Sequence, residues 1–216
     1  MSPLRVRYQT IEFGDTDIHI RSLRDRQEFS DTDGAAARLG ICSASWPIFG
    51  LLWDSGRVLA ELMFDYEIDG KRILEVGCGI ALSSLVLNTR QADITATDHH
   101  PEAGAFLQAN ARLNQHNSIP FVRTGWADAN SGLGVFDLII GSDLLYEQDH
   151  IELLSTFIDQ HADKHCEVII VDPGRAQHAR FSKRMVGLGY AHSQYKPDEA
   201  AYLDQPFRGQ VMNYRR

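Results

Sequence analysis

Long apolar runs are missing from this 216-residue chain, and so is any excess of basic charge. No hydrophobic stretch approaches the roughly 20 residues of a membrane-spanning helix, and Met1 to Thr10 lacks the apolar segment of a secretory leader. No membrane partner is therefore expected. Lysine and arginine number 21 against 29 aspartates and glutamates, a formal net charge of −8. Phosphate backbones are bound by clustered cations, so nucleic acid is not expected as a partner. Two short basic groups, Arg21 with Arg24 and Arg26, and Arg215 with Arg216, read as solvated faces. Cysteine is scarce: Cys42, Cys78 and Cys166 are odd in number and widely spaced. That suits a reducing cytoplasm and gives neither a disulfide framework nor a metal site. His99 and His100 are adjacent and cannot build a tetrahedral site unaided, so they read as loop polar residues and no metal is expected.

What the chain does have is 44% hydrophobic residues, enough to bury one core. Tyr8 to Leu23 predicts a β-hairpin turning at Gly14-Asp15-Thr16-Asp17, with Ile11 and Phe13 alternating on one arm and Ile18 and Ile20 on the other. Arg24 to Gly40 is polar, a mobile lead-in or a short helix. A helix is expected from Ser55, with Val58, Leu59, Leu62 and Met63 on one face. Beyond it, strands at 72–76, 93–97, 119–123, 136–141 and 167–171 alternate with helices at 80–89, 101–115, 149–162 and 176–187. The 101–115 helix is expected to bury Phe106, Ala109 and Leu113; the 149–162 helix, Ile151, Leu154, Phe157 and Ile158. Such alternation predicts a parallel sheet covered on both faces. Tyr190 to Tyr195 and Gly209 to Arg215, joined by a Pro-, Asp- and Ala-rich loop, should pair antiparallel at one edge.

The most informative run is Ile73-Leu74-Glu75-Val76-Gly77-Cys78-Gly79-Ile80-Ala81-Leu82, with Asp98 closing the next apolar stretch. A strand, a glycine-dense turn and a helix, then a second strand ending in a carboxylate, make half of a nucleotide-binding α/β unit. The peptide N–H groups around Gly77, Cys78 and Gly79 are expected to face a ligand, and Asp98 either caps a helix or holds two ribose hydroxyls. A dinucleotide fingerprint needs Gly or Ala three positions after Gly79, where Leu82 stands. The alternative, acid-x-Gly-x-Gly-x-small, is met by Glu75, Gly77, Gly79 and Ala81. It resembles motif I of the seven-β-strand S-adenosylmethionine methyltransferases.

A second signal follows the fourth strand of the parallel set. Phe136 to Ser142 ends in Gly-Ser, and Asp143 and Tyr146 stand three residues apart. This acid-x-x-Tyr pattern, with Leu52-Trp53-Asp54 ahead of motif I and Thr124-Gly125-Trp126 after the third strand, is similar to the protein lysine methyltransferase subgroup. Asp172-Pro173-Gly174-Arg175 resembles the lysine methyltransferases that act on the electron-transfer flavoprotein β subunit; a plain turn is the equal alternative.

The resemblance implies an open, doubly wound, mostly parallel seven-stranded sheet, a Rossmann-like α/β methyltransferase fold with an antiparallel C-terminal edge and an N-terminal β-hairpin. Residues 1–50 would form the hairpin and lead-in segment, and 51–216 the methyltransferase domain. It implies S-adenosyl-L-methionine as cofactor, a lysine of a cytoplasmic protein as acceptor, and, alternatively, a small amine or heterocycle. By the same resemblance, Glu75 would approach the amino-acid end of the cofactor, Trp126 offer a face to adenine, Ser142 keep the strand end narrow and Trp53 cover the methionine portion. For both tryptophans, core packing is the alternative. Asp143 would dock the ammonium and orient the amine lone pair, and Tyr146 would line the acceptor channel.

Overall fold

A computed structural model describes residues 4–128, 131–197 and 203–216. The chain opens with the hairpin, β1 (Val6–Phe13) and β2 (Thr16–Leu23). The connection is shorter than Gly14 to Asp17, because Thr16 already pairs with Phe13 and Asp17 with Glu12. The lead-in contains one short helix, α1 (Ala35–Arg38), started by the Asp31 carboxylate, which accepts the N–H groups of Ala36 and Ala37. Single 3₁₀ turns at Ser43–Ser45 and Ile48–Gly50 carry the chain to α2 (Asp54–Asp65), which buries Val58, Leu59 and Met63 with Leu62 packed beside them.

The expected alternation then follows: β3 (Arg72–Val76), α3 (Leu82–Thr89), β4 (Asp93–Asp98), α4 (Ala103–Leu113), β5 (Phe121–Arg123), β6 (Phe136–Ser142), α5 (His150–His161), β7 (Ala162–Asp172) and α6 (His178–Gly187). The C-terminal strands are β8 (Ala191–Tyr195) and β9 (Gln210–Arg215); residues 198–202 of their Pro-, Asp- and Ala-rich connection lie outside the described residues. The seven strands run in the order β5-β4-β3-β6-β7-β9-β8, with β9 antiparallel to both neighbours and the other pairings parallel. Chain order reverses between β3 and β6, so their carboxyl ends flank the crevice where open α/β sheets bind ligands. No described helix is long and apolar enough to cross a membrane.

One helix face departs from expectation. α4 buries Ala103, Phe106, Leu107, Asn110 and Ala111, while Leu113 is 37% exposed and Ala109 only half-buried. The stripe turns because a polar residue belongs to it. The Asn110 Oδ1 accepts the Arg21 N–H at 2.7 Å, and one turn later Asn114 accepts the His19 N–H at 2.6 Å and donates to the His19 carbonyl at 2.7 Å. Two asparagines four residues apart thus satisfy the free edge of β2 and seat the hairpin on the domain. We expect Asn110→Leu to cost about 1–3 kcal/mol in urea unfolding, because it leaves the Arg21 N–H without an acceptor.

The basic groups separate. Arg21 lies 4.5 Å over the Phe106 ring and Arg26 5.1 Å over Trp53, while Arg215 pairs with Glu167 and Arg216 with Asp159.

Candidate active site

Trp53, Glu75, Gly77, Cys78, Gly79, Asp98, Trp126, Ser142, Asp143 and Tyr146 all line one cavity of about 690 Å³ at the carboxyl ends of β3, β4 and β6. That volume falls in the range of small-molecule sites. The wall opposite the sheet comes from the lead-in and the 3₁₀ turns, through Arg26, Ile48 and Phe49.

The turn after β3 is organised by contacts within the protein. Gly77 and Gly79 have φ of +61° and +54°, and Ala81 follows at +61°. A left-handed backbone at alternate positions is what the Gly-x-Gly-x-small spacing encodes. A Cβ on Gly77 would lie 2.5 Å from Leu144 Cδ2, and one on Gly79 would lie 2.9 Å from the Phe49 carbonyl oxygen. The close approach is therefore to the protein's own walls. The expected N–H groups are also engaged: Cys78 donates to the Thr97 carbonyl at 2.9 Å and Gly79 to Asp98 Oδ2 at 2.8 Å. The turn locks the ends of β3 and β4 together and shapes the cavity; these two donors do not face it.

Asp98 accepts from His100 N at 2.7 Å through its other oxygen, so each carboxylate oxygen carries one backbone bond. Burial raises its pKa, opposed by these N–H groups. His100 stacks on Phe49 at 3.8 Å between ring centroids, and burial pushes it down to about 4, so it is neutral at physiological pH. His100 is thus a wall of the site and not the loop polar residue that the sequence suggests. The aromatic run containing Phe49 is the signal that something must stack there.

Glu75 is 4% exposed, and one of its oxygens accepts from both the Ser84 N–H and the Ser84 hydroxyl. It therefore tethers the first turn of α3. Burial pushes its pKa to about 7 against an ordinary 4.5, overcoming the Ser84 bonds. The folded chain holds that proton up to about 7 while the unfolded chain releases it near 4.5. Stability from this group is complete below 4.5 and declines as pH rises toward 7 and just above it. We expect Glu75→Gln to remove a pH-dependent loss on the order of 3 kcal/mol between about pH 4.5 and 8, read as the difference between wild-type and mutant urea curves.

The two tryptophans are fixed by other contacts. Trp53 Nε1 donates to the Ile48 carbonyl at 3.0 Å, and Arg26 covers one face of its ring. Trp126 meets His150 edge-on at 5.0 Å. Ser142 ends β6 beside Gly56 of α2, where a Cβ would stand 3.6 Å from the Ser142 hydroxyl.

Asp143 and Arg175 form the charged end of the cavity. Asp143 has φ of +56°, tolerated by aspartate, and its N–H donates to the Val171 carbonyl at 2.9 Å. The next residue of β7, Asp172, is fully buried and accepts the N–H groups of Gly174 and Arg175 at 2.8 and 2.7 Å. So Asp172-Pro173-Gly174-Arg175 is a turn, and that turn aims Arg175 at Asp143. The Arg175 Nε and Nη2 both reach Asp143 Oδ1 at 2.5 Å. The guanidinium also lies 5.6 Å from the Tyr146 ring centroid. Tyr146 meets His150 edge-on at 4.5 Å and is 41% exposed at the rim. Burial of its hydroxyl, helped by the Asp98 carboxylate, pushes its pKa up to about 12, so the phenol stays neutral.

Comparison with known proteins places these features in a group. The sequence profile of a family described as lysine methyltransferase matches residues 45–186. The chain is 30% identical over 151 residues to the mouse (Mus musculus) electron transfer flavoprotein beta subunit lysine methyltransferase, covering 68% of this chain and 58% of that protein. It is 32% identical over 127 residues to protein N-lysine methyltransferase METTL21A of Danio rerio, covering 53% and 57%. The chain thus spans just over half the length of these curated relatives. Among solved structures, the T. thermophilus 16S rRNA N2 G1207 methyltransferase in complex with AdoMet and guanosine shares the fold, with a TM-score of 0.68 at 11% identity, over 99% of this chain and 51% of that one.

Proposed function

We propose, since this chain belongs to the lysine methyltransferase family, that it transfers the methyl group of S-adenosylmethionine to the side-chain amine of a lysine in a cytoplasmic protein. The observation that carries the reading is the convergence of the motif I turn, Asp98 and the Asp143–Tyr146 pair on one cavity at the chain reversal.

The cavity suits that cofactor by its donor set. A carboxylate has about four lone-pair sites, so Asp98 retains acceptor capacity on each oxygen for a pair of ribose hydroxyls. Trp126 lends an aromatic face for the adenine, and Ser142 limits the width of the β6 end. Arg26 leaves only the opposite face of Trp53 for a methionine portion. Glu75, tied to Ser84, meets the amino-acid end with its remaining oxygen, and Gly77, Cys78 and Gly79 give the floor its shape.

Bound S-adenosylmethionine supplies an electrophilic methyl on a good leaving group, so the protein's task is alignment of the amine. Free lysine titrates near 10.4, and baring its amine at pH 7 costs roughly 4–5 kcal/mol. The apolar walls disfavour the ammonium, and Asp143 accepts an amine N–H to point the lone pair inward. Tyr146 packs against the alkyl stem at the rim. The acceptor is read as a protein segment because Tyr146 and Leu153, at the mouth, are 41% and 37% exposed. Residues 1–50 contribute the outer wall and the region most suited to choosing that segment; 51–216 carry the transfer chemistry.

The test is mass spectrometry of host proteins with and without this protein, scoring lysine residues that gain methyl masses, with the electron-transfer flavoprotein β subunit as the first purified acceptor. Methyl groups appearing on lysine support the proposal; label found only in small molecules overturns it.

A further inference from the structure

Resting on that reading, we propose that Arg175 is a positioning residue that neutralises Asp143, so that the carboxylate orients a neutral lysine amine without holding it as an ammonium. The difficulty it answers is electrostatic. An unpaired carboxylate at hydrogen-bond distance favours the charged form of an amine, which is the unreactive form. Asp143 is 12% exposed at its side chain, so solvent screens it little. A guanidinium 2.5 Å from Oδ1 supplies the missing positive charge from within the protein. Arginine stays protonated throughout the working pH range, so the pair remains balanced whatever the acceptor does.

The geometry separates two functions on one side chain. Both Arg175 nitrogens converge on Oδ1. The pairing is built in twice, by the Asp143 N–H on Val171 and by Asp172 holding the Arg175 N–H, so adjacent strand ends present both partners. The Tyr146 ring closes the third side. In the bound state the acceptor's ammonium releases its proton to water, the neutral amine donates an N–H to Asp143, and its lone pair faces the methyl group.

The other groups that could move this balance are on surrounding elements. Asp172, buried at the end of β7, feels the Asp143 charge; Glu147 and His150 follow Tyr146; His178 opens α6 with Nδ1 against the Arg175 carbonyl; Asp98 ends β4 and His99 follows it; Arg26 lies in the lead-in; Asp54 starts α2 beside Pro173. Of the groups within reach, burial holds Cys78 and Tyr146 protonated to high pH. Two groups can change charge in the range scanned: Cys42, whose exposed thiol is lowered by the Ser45 hydroxyl and feels Glu147, and Glu75, pushed to about 7 in the same cavity; the test therefore uses a Cys42→Ser background and reads each profile as a difference from the parent, which shares Glu75.

The experiment compares Arg175→Gln and Arg175→Lys with the parent, measuring methyl transfer to poly-L-lysine and to the electron-transfer flavoprotein β subunit from about pH 6.5 to 10, with cofactor affinity by calorimetry alongside. The expected result for Arg175→Gln is loss of transfer near pH 7 that recovers at alkaline pH, its profile displaced upward by about 1–2 pH units. Arg175→Lys should stay near the parent profile, and cofactor affinity should be unchanged in both. An equal loss at every pH, or an undisplaced profile in Arg175→Gln, overturns the inference while leaving lysine methylation standing. A parent protein that methylates no lysine in these acceptors or in host protein extract overturns the lysine reading, and this inference with it.

Discussion

Asp143→Ala should lower methyl transfer by about 10²–10⁴-fold while cofactor affinity stays within about threefold of wild type. The split follows from where the carboxylate sits: it lines the charged end of the cavity with Arg175, on the turn after β6, away from the hydrogen bonds that organise Asp98 and Gly79. Alanine at a φ of +56° adds backbone strain, so Asp143→Asn is the better-matched partner, since asparagine accepts that conformation. Both variants should fail in turnover, and the alanine variant, which adds backbone strain to the lost partner of Arg175, should lose the more stability. Equal, full transfer by both would remove Asp143 from the reaction. Tyr146→Phe belongs in the same series; its neutral phenol predicts a smaller loss than Asp143→Asn with no change in the alkaline limb.

The second large effect is on binding. Asp98→Ala should weaken S-adenosylmethionine by about 10²–10³-fold in calorimetry, the expected loss for two hydrogen bonds to a charged, buried acceptor. The same change strips an acceptor from the Gly79 and His100 N–H groups, so the turn after β3 loosens. Asp98→Asn isolates the two contributions: it keeps one acceptor oxygen and should fall between wild type and alanine. Unaltered affinity in Asp98→Ala would end its ribose assignment.

Most of the sheet was legible because β3 and β6 are largely buried on both faces and read as apolar runs, while β4 alternates Ile94 and Ala96 with threonines. β7 was not fully legible: its first residues, Ala162 to His165, are mostly polar and only Ala162 among them pairs, with Phe136 of β6, so no alternation marks them. β5 came out shorter than 119–123 because Pro120 cannot donate to a ladder, although its carbonyl accepts from Ala96. The α4 stripe was misplaced for a related reason. Hydrophobic periodicity counts apolar residues, and Asn110 is buried for its hydrogen bonds. That the candidate residues meet at one cavity was legible from spacing, because most of them terminate a strand or closely follow one. Partnerships between them were not. Nothing in the order of residues announces that Arg175 reaches back 32 positions to Asp143, or that the glycines face Leu144 and Phe49.

The seam between the asparagine pair and the edge of β2 bears on how such proteins can be recombined. A chimera that exchanges the first fifty residues for those of a relative, to redirect it toward another acceptor, keeps Asn110 and Asn114, and these grip backbone groups that every residue but proline supplies. Exchange should therefore succeed when the incoming ribbon keeps the register and places no proline at 19 or 21, whatever side chains it carries.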